Sequence, residues 1–442
     1  MRLWRNGRRC GLKIHCPLDV GVQVPPAAPF CLSFHDNVPC ILIQNHALKY
    51  LMKHDIIIIG AGPAGLSFAK NIAKTNLNVL LIEKQSKEVI ANPPYDGREI
   101  ALTHLSHKIM NDLEMWQIIP KEKISLIKSA KVMNGNSAYA LSFDYEESGE
   151  DNLGFMISNN TIRKAAYDSL EGIDNIEILY EKEVSNVGTN SEKGWVDLKS
   201  GEHLEARLII AADSRFSSTR RMMGISTSML DFGRTCVVCT MSAELPHNKT
   251  AYECFHFDRT LAVLPLNDNQ VSIVITLGSE DSDELLNMSK EAFAADIEKR
   301  IDARLGKMNL TSELFPYPLV ATFAKVFHTE RFVVIGDSAV GMHPVTAHGF
   351  NLGLQGADTL ATEIKTALKT GCDWSAQDVL KTYTEKHRHV SRPLYHGTNA
   401  LVRLYTKTTP AAKFARRALL RLGNHIKPAK KLIMKQLTDT AA

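Results

Sequence analysis

The stretch that decides the fold of this chain is Asp55-Ile56-Ile57-Ile58-Ile59-Gly60-Ala61-Gly62-Pro63-Ala64-Gly65. Its β-branched first half predicts a strand buried on both faces. A G-x-G-x-x-G turn follows at once, and residues 66–74 have helical spacing. A second apolar run, residues 79–82, ends in Glu83. Strand, glycine turn, helix, strand and acid within about 30 residues predict a Rossmann-type βαβ unit that binds a dinucleotide.

Each part of this unit has a chemical reason to be there. Gly60 permits the tight turn, Gly62 lets the backbone approach a pyrophosphate, and Gly65 lets helix and strand pack closely. The helix start offers unpaired N–H groups and a positive dipole end to the phosphates. Glu83 stands where a carboxylate accepts hydrogen bonds from a ribose diol. The fingerprint by itself leaves FAD and NAD open, and a glycine turn without a ligand is the alternative.

The composition is that of a globular protein with an unusual start. The 442 residues are 44% hydrophobic and 23% charged, which allows two or three domains. No run of about 18 apolar residues predicts a membrane-spanning helix. Residues 1–51 hold four of the eight cysteines and several arginines, but no apolar stretch typical of a signal peptide. We interpret them as an atypical leader from a start site placed before Met52, with a targeting or regulatory extension as the alternative.

The cysteines indicate neither a disulfide framework nor a metal site. Cys236 and Cys239 lie in a β-branched run, where positions i and i+3 point to opposite faces, and no second pair follows. We predict that they pack in the core, with no metal bound, in a reducing cytoplasm. A flavin disulfide reductase would need a redox cysteine pair soon after the glycine turn, yet no cysteine occurs between Met52 and Thr235.

Two later segments separate FAD from NAD, and the first of them is residues 208–220. This strand and polar turn resembles the G-A-D-G-x-x-S-x-x-R element of flavoprotein aromatic hydroxylases. Asp213 keeps the acid and Arg220 the terminal base, while Ser214 stands where that family has glycine. In the family, the element supports the FAD pyrophosphate region and is linked with NAD(P)H use.

The second segment, residues 332–353, resembles the third motif of the same family, G-D-A-A-H-x-x-x-P-x-x-G-Q-G-x-N-L-G. The chain departs from that motif at Val340, Ala347 and His348. A helix start at this place suits the cofactor, because its positive end stabilises the negative charge of a reduced flavin.

The third motif implies particular roles. Gly336 and Asp337 are expected to bind FAD, Asp337 at the ribityl chain. Pro344 is expected beside the reactive flavin carbon. His343 and His348 are candidate acid–base groups, or else polar residues at a loop–helix junction. The helix start is expected to face the pyrimidine end of the flavin ring through Gly349, Phe350 and Asn351.

Two smaller matches extend the resemblance over residues 52–405. Residues 96–102 resemble a D-x-R-x-x-A-L segment whose arginine, here Arg98, reaches the FAD phosphates. Residues 157–163 resemble a segment whose arginine, here Arg163, lies on the cofactor side. Within the family the chain is most similar to the ubiquinone-biosynthesis hydroxylases, and its third motif looks like their UbiM-type branch.

This resemblance implies an activity and an architecture. The activity is FAD-dependent hydroxylation of the aromatic ring of a polyprenylated phenol or quinol, such as 5-demethoxyubiquinol, with NAD(P)H as a transient reductant and O2. The fold is α/β, with a Rossmann-type FAD-binding domain, an inserted mixed β-sheet substrate domain and a helical C-terminal segment. We assign these in turn to residues 52–126, 159–232 and 325–372; to residues 127–158 and 233–324; and to residues 373–442.

The substrate domain is predicted from its strands. Apolar, β-branched runs recur at residues 237–241, 252–257, 260–265 and 271–277. A hairpin is predicted at Asn134-Gly135-Asn136. This mixed sheet would roof the flavin ring and form the substrate pocket, which should be closed and apolar to keep water out.

The tail is strongly basic. Residues 385–436 hold thirteen lysines and arginines against one acid, and residues 413–422 place apolar and basic side chains on opposite helical faces. That pattern is typical of a helix on an anionic membrane, and the alternative is a basic helix packed on its own domain. We therefore expect a cytoplasmic protein peripheral to the inner membrane, possibly within a ubiquinone-biosynthesis complex, and no nucleic acid. A prenyl-lipid reductase, a halogenase and a non-catalytic prenyl-lipid-binding accessory protein remain alternative functions.

Overall fold

This computed structural model describes residues 53–134, 140–256, 259–343 and 348–406, together with residues 409, 430 and 434. The leader 1–51, the predicted hairpin turn, Pro344 and the amphipathic pattern of residues 413–422 lie outside the described residues. Within the described parts of the chain, no helix is both long enough and apolar enough to cross a membrane.

The described residues form strands and helices of widely different length. The helices are α1 (Pro63–Ile72), α2 (Lys87–Ala91), α3 (His104–Asp112), α4 (Asn159–Asp168), α5 (Ser218–Met222), α6 (Ser282–Leu286), α7 (Lys290–Arg300), α8 (His348–Lys369) and α9 (Gln377–Thr406). The strands are β1 (Ile56–Ile59), β2 (Val79–Ile82), β3 (Glu99–Leu102), β4 (Ser125–Ile127), β5 (Ser129–Asn134), β6 (Ala140–Asp144), β7 (Gly154–Ser158), β8 (Ile176–Leu179), β9 (Val184–Thr189), β10 (Gly194–Leu198), β11 (His203–Ala206), β12 (Leu208–Ala211), β13 (Thr227–Ala243), β14 (Thr250–Phe255), β15 (Thr260–Pro265), β16 (Gln270–Gly278), β17 (Met308–Leu310), β18 (Phe315–Ala324), β19 (His328–Thr329), β20 (Phe332–Val334) and β21 (Val340–Gly341).

The predicted βαβ unit forms the centre of a six-stranded sheet. Its strand order is β19-β20-β12-β1-β2-β8, and all pairs are parallel except that of β19 with β20. Every residue of β1 and β2 is buried, as expected for strands covered on both faces. Helix α1 is joined to α8 by a hydrogen bond of 2.8 Å from Asn71 Nδ2 to Asp358 Oδ1. The prediction of a Rossmann-type unit is confirmed.

The predicted mixed sheet is also present. It has nine strands in the order β21-β18-β13-β16-β15-β14-β5-β6, with β17 beside β13, and its one parallel pair is β14 with β5. Helices α6 and α7 cover one face with Leu285, Phe293 and Ile297. Cys239 belongs to this covered face and Cys236 to the other, and both are buried, as predicted.

Several strands cross the domain boundaries that we assigned. Strand β13 begins at Thr227, ahead of the boundary at residue 233, and β21 pairs with β18 although it lies within the FAD-binding segment. Strand β7 joins β3 and β4 in a separate three-stranded sheet. Strands β9, β10 and β11 form another antiparallel sheet. The pairing of short strands depends on distant packing, which a local sequence pattern does not encode.

Candidate active site

The three sequence motifs meet at one edge of the six-stranded sheet. Strands β1, β12 and β20 are parallel neighbours, so their carboxyl ends lie side by side. Gly60, Asp213 and Asp337 follow those three ends directly or within a few residues. A crevice at the carboxyl ends of parallel strands is where α/β sheets bind their ligands.

The glycine turn shows three different steric demands. Gly60 has a φ of +109°, and a Cβ there would lie 2.6 Å from the Ala212 carbonyl oxygen. A Cβ at Gly65 would lie 2.2 Å from the Gly60 carbonyl oxygen. At Gly62 no protein atom lies within 4 Å of the Cβ position. Gly60 and Gly65 therefore maintain the fold, while Gly62 leaves open the approach to the first turn of α1.

The first turn of α1 is suited to an anion. Gly62 is its N-cap with no side-chain cap, and Pro63 occupies the first turn, where its missing N–H costs nothing. The remaining N–H groups of this turn point out of the helix, toward the space beside Gly62. A pyrophosphate would accept hydrogen bonds there and gain from the helix dipole.

Glu83 fixes the glycine turn from the end of β2. Its Oε2 accepts a hydrogen bond of 2.8 Å from the Ala61 N–H, and its Oε1 accepts one of 2.9 Å from the Gln85 N–H. The residue is 8% exposed. Because each carboxylate oxygen accepts more than one hydrogen bond, Glu83 still has lone pairs for the predicted ribose contact.

Two arginines that the resemblance assigned to the cofactor side lie close to each other. Arg98 Nε donates to Asp96 Oδ2 at 3.0 Å, and its guanidinium lies 5.4 Å from the centre of the Tyr317 ring. Burial lowers the pKa of Arg163, which the nearby Arg98 charge lowers further and the Asp96 and Glu83 carboxylates raise. Two guanidiniums near one acid form a site that favours a phosphate anion.

The second motif closes the crevice from β12. Asp213 Oδ1 is buried and has no hydrogen-bond partner among the described residues. Burial raises the pKa of Asp213. Ser214 is not among the residues of positive φ, so the serine takes the place of the family's glycine without backbone strain.

Arg220 ties the second motif to the third. Its side chain is 2% exposed, and it donates to the Ser338 carbonyl oxygen at 2.5 Å and to the Arg215 carbonyl oxygen at 3.1 Å. Both acceptors are backbone atoms of the turns that carry the candidate FAD ligands. Arg220 therefore positions the site from inside the protein.

Arg215 is a site residue that the sequence reasoning missed. Its Nη2 lies 3.1 Å from Asp337 Oδ2, and its Nη1 donates to the Val320 carbonyl oxygen at 3.0 Å. Asp337 sits in a one-turn 3-10 helix after Gly336, whose φ is +59°. The signal was present in the motif, two residues after Asp213, but its partner lies 122 residues away in the chain.

His343 lies in an apolar setting near two arginines. It is 3% exposed, and its ring packs edge-on against Phe232 with centroids 4.8 Å apart. Burial lowers the pKa of His343 to about 4, with smaller contributions from Arg234 and Arg215. The imidazole is therefore neutral at neutral pH, which does not suit a general acid.

The start of α8 is anchored to β3. Asn351 Nδ2 donates to the Ala101 carbonyl oxygen at 2.9 Å, and Asn351 Oδ1 accepts from the Thr103 N–H at 3.2 Å. His348 begins the helix and is buried, and Phe350 packs partly buried against the main core. The side chain of Asn351 thus holds the helix in place.

The structure describes some of the residues at which the chain departs from the third motif, and their packing is compatible with the residue present. Val340 is 2% exposed and packs in the main core from β21, where a histidine would need a polar partner. Gly353 lies against Gly336, since a Cβ at residue 353 would approach the Gly336 Cα to 3.5 Å. Pro344 and Ala347 lie outside the described residues.

The residues at this edge fit FAD. The accessible first turn of α1 and the open position at Gly62 suit the pyrophosphate, and Arg98 and Arg163 supply positive charge. The buried Asp213 Oδ1 is an acceptor that lacks a donor among the described residues. Asp337 is more than a third exposed and stands next to the glycine turn, where a hydroxylated chain could donate to it.

Comparison with known proteins agrees with this site. The fold and the FAD crevice, together with the relatives described below, define the class of this protein, an FAD-dependent monooxygenase. The chain belongs to the FAD_binding_3 family, described as FAD binding domain, which matches residues 53–398. The predicted family and the predicted cofactor are thereby confirmed. In the parts of the chain that the structure describes, no group of three or more histidine, cysteine, aspartate or glutamate residues could hold a metal ion.

Individual relatives indicate which members of this family the chain is similar to. Ubiquinone hydroxylase UbiM of Neisseria meningitidis is 50% identical over 388 residues, which cover 87% of this chain and 84% of that protein. The 3-demethoxyubiquinol 3-hydroxylase of Escherichia coli is 25% identical over 364 residues, covering 82% and 92%. The crystal structure of p-nitrophenol 4-monooxygenase PnpA from Pseudomonas putida superposes with a TM-score of 0.70 at 17% identity, covering 87% of this chain and 98% of that one. That last likeness shows the fold.

Proposed function

We propose that this monooxygenase hydroxylates the aromatic ring of a polyprenylated phenol or quinol in ubiquinone biosynthesis. Its Neisseria relative is named a ubiquinone hydroxylase. The observation that carries the proposal is the 50% identity along 87% of the chain. The Escherichia relative is named 3-demethoxyubiquinol 3-hydroxylase. A demethoxyubiquinol, such as the expected 5-demethoxyubiquinol, is therefore the first substrate to test. NAD(P)H serves as the transient reductant.

Each part of the crevice has a task in this reaction. FAD, when bound, carries electrons from NAD(P)H to O2 and delivers one oxygen atom to the ring. The turn of α1, Glu83, Arg98 and Arg163 hold its phosphates and ribose, and Asp337 holds the ribityl chain. Phe232 and the neutral His343 keep the neighbouring pocket apolar, which excludes water from the oxygen chemistry.

We also propose that the protein works at the cytoplasmic surface of the inner membrane, because a polyprenylated quinol partitions into the bilayer. The basic, amphipathic pattern of residues 413–422 supports this, although it lies outside the described residues. Two described residues further along favour the alternative. Lys430 pairs with Glu147 at 2.8 Å, and Met434 is buried beside Phe143 and Met156, so this part of the tail packs on its own protein.

The activity is tested with purified protein loaded with FAD. Oxidation of NAD(P)H should accelerate on addition of a prenylated phenol, and mass spectrometry should find a product heavier by one oxygen atom. Reduction without oxygen transfer would favour a reductase, and halide incorporation a halogenase. Tight lipid binding with no turnover would favour an accessory protein. Mass spectrometry of the quinone intermediate that accumulates in a deletion strain identifies the ring position.

A further inference from the structure

The nine-stranded sheet has two unlike faces. One is the apolar face under α6 and α7. The opposite face, called the inner face here, carries one straight row of residues across five neighbouring strands: Val238, Val274, Ala262, Glu253 and Val132. Residues that pair directly across strands point to the same side, so these five side chains share the inner face.

The inner face begins beside the candidate active site. His343 packs on Phe232, and Phe232 packs in a cluster with Val238, Val274 and Leu319. Strands lie about 4.8 Å apart, so Glu253 stands roughly 14 Å along the row from Val238. A flat ring with an apolar tail spans such a distance, and Glu253 therefore lies within reach of a molecule that also touches the Phe232 end.

Glu253 is the only one of these five residues that has an ionisable side chain. The rows on either side add only apolar or weakly polar side chains: Cys236, Thr276, Thr260 and Phe255 on one side, and Thr240, Ser272, Leu264 and Ala251 on the other. A carboxyl in such surroundings gains from a hydrogen-bond partner whether it is neutral or ionised, because burying a polar group without one is costly. None of the described residues supplies that partner, so the carboxyl is available to a ligand.

The carboxyl is shielded but still accessible. Burial raises the pKa of Glu253 to about 8, and among the described residues no hydrogen bond or nearby charge offsets this effect. The side chain nevertheless keeps partial exposure. A side chain that lines an enclosed pocket is likewise shielded from bulk solvent and yet partly exposed. Ser272 lies on the same face with a buried hydroxyl that has no partner among the described residues.

We propose that Glu253 binds the substrate through a hydrogen bond to an oxygen on its aromatic ring, while the apolar residues of the row hold the ring itself. This inference rests on the proposed function, since it takes a phenol or quinol as the substrate. In its neutral form Glu253 donates to the ring oxygen, and in its ionised form it accepts the hydrogen of a ring hydroxyl. The accepted hydrogen bond leaves more electron density on the ring, which favours its attack on an electrophilic oxygen.

A polar contact of this kind also gives specificity. A site built to bind a hydroxyl rejects an analogue that lacks it strongly, because the buried polar group is then left unpaired. An apolar row without Glu253 would bind a phenol and the methyl ether of that phenol almost equally. The loss of this difference in a Glu253 variant therefore reports on Glu253.

The test uses full-length protein loaded with FAD and two ligands, a short-chain 2-prenylphenol and its methyl ether. Binding is followed by the change in flavin absorbance, and turnover by substrate-dependent oxidation of NAD(P)H. Above about pH 8, where Glu253 is ionised and can only accept, Glu253→Leu should weaken binding of the phenol at least tenfold and leave the methyl ether within about twofold. FAD content should not change.

Glu298→Leu is the control. Glu298 lies on α7, under the other face of the sheet, and its Oε1 accepts from the Met308 N–H at 2.8 Å. The Glu298→Leu substitution should lower the stability of the fold. The ratio of the affinities for the phenol and for its methyl ether should stay as in the wild type. Should Glu253→Leu fold poorly, Glu253→Gln provides the second measurement. The affinity of the wild type for the phenol should change with pH near 8, and the Gln variant should lose that dependence.

The possible outcomes distinguish failure of the proposed function from failure of the inference about Glu253 alone. If the wild type neither binds nor hydroxylates any prenylated phenol, the proposed function fails and this inference fails with it. If the wild type hydroxylates the phenol but both Glu253 variants bind it as tightly with an unchanged pH profile, the inference alone is overturned.

Discussion

Arg215 and Asp337 form an ion pair of 3.1 Å between Nη2 and Oδ2 at the mouth of the FAD crevice. Their side chains are 28% and 38% exposed. An ion pair this accessible contributes about 0.2–1 kcal/mol. The pair therefore contributes too little to the stability of the fold to account for either residue. We propose that it orients the Asp337 carboxylate toward a ligand.

This relationship predicts unequal effects on cofactor binding. Asp337→Ala should yield protein poor in FAD, because it removes the acceptor itself. Arg215→Gln should weaken FAD binding by less, because it removes only the group that orients the acceptor. Flavin content and the FAD dissociation constant measure both. Full FAD content in Asp337→Ala with loss of hydroxylation alone would contradict the role assigned to Asp337.

The glycine turn offers a matched pair of substitutions. Gly62→Ala should leave the melting temperature of the apoprotein almost unchanged, because no protein atom lies within 4 Å of the new Cβ, yet it should weaken FAD binding. Gly65→Ala should destabilise the fold, because its Cβ would lie 2.2 Å from the Gly60 carbonyl oxygen. Thermal unfolding without FAD, together with FAD titration, separates the effects. Equal FAD affinity in Gly62→Ala and wild type would place the pyrophosphate elsewhere.

Glu83 should be needed for FAD through both its existing and its predicted hydrogen bonds. Glu83→Ala should lower FAD occupancy, since a hydrogen bond to a charged group contributes about 1.5–3 kcal/mol. The substitution also releases the N–H groups of Ala61 and Gln85. Glu83→Gln keeps one acceptor and should lose less. An unchanged dissociation constant in Glu83→Ala would exclude the ribose contact.

Two buried histidines should make the fold sensitive to acid. Burial lowers the pKa of His343 and of His387 to about 4, below the ordinary value of 6.5. The unfolded chain then binds more protons between pH 6.5 and 4, so stability is full above 6.5 and falls as pH drops through that window. Melting temperatures across this range should decline less steeply in His343→Asn and in His387→Asn.

The two histidine variants also test for acid–base chemistry. His387 stacks on Tyr383 away from the crevice, with centroids 5.7 Å apart. Because His343 is neutral at pH 7, the pH profile of kcat in His343→Asn should match that of His387→Asn between pH 6 and 8. A profile that changes in His343→Asn alone would restore His343 as an acid–base group.

The tail predicts salt-sensitive membrane binding. Cations near anionic lipid each gain about 1 kcal/mol, and salt at physiological strength screens them beyond about 8 Å. Full-length protein should sediment with anionic liposomes at low salt and less at high salt, and a chain that ends near residue 405 should not. The shortened chain must first be shown to keep FAD, because Lys430 and Met434 contact the folded protein. Equal sedimentation of both would favour a tail that serves packing alone.

The βαβ unit and the cofactor class followed from the sequence by itself. Their signals are local: β-branched runs for β1 and β2, three glycines at fixed spacing, and Glu83 within about 30 residues. Such signals act through backbone conformation and strand periodicity, which neighbouring residues largely determine. The later motifs around Asp213 and Asp337, which separate FAD from NAD, were found by their resemblance to a known family, as short strands that end in polar turns.

Tertiary structure alone decided how these pieces work together. Arg215 meets Asp337 across 122 residues, and Asn351 bonds the Ala101 carbonyl oxygen across 250. Asn351 was predicted to bind the cofactor, and its side chain also holds α8 on β3. The sequence showed Glu253 as one more polar residue between apolar ones, and only strand register placed it on the inner face. Burial, charge and pairing depend on which distant strands come together, and the packing of the whole chain determines that.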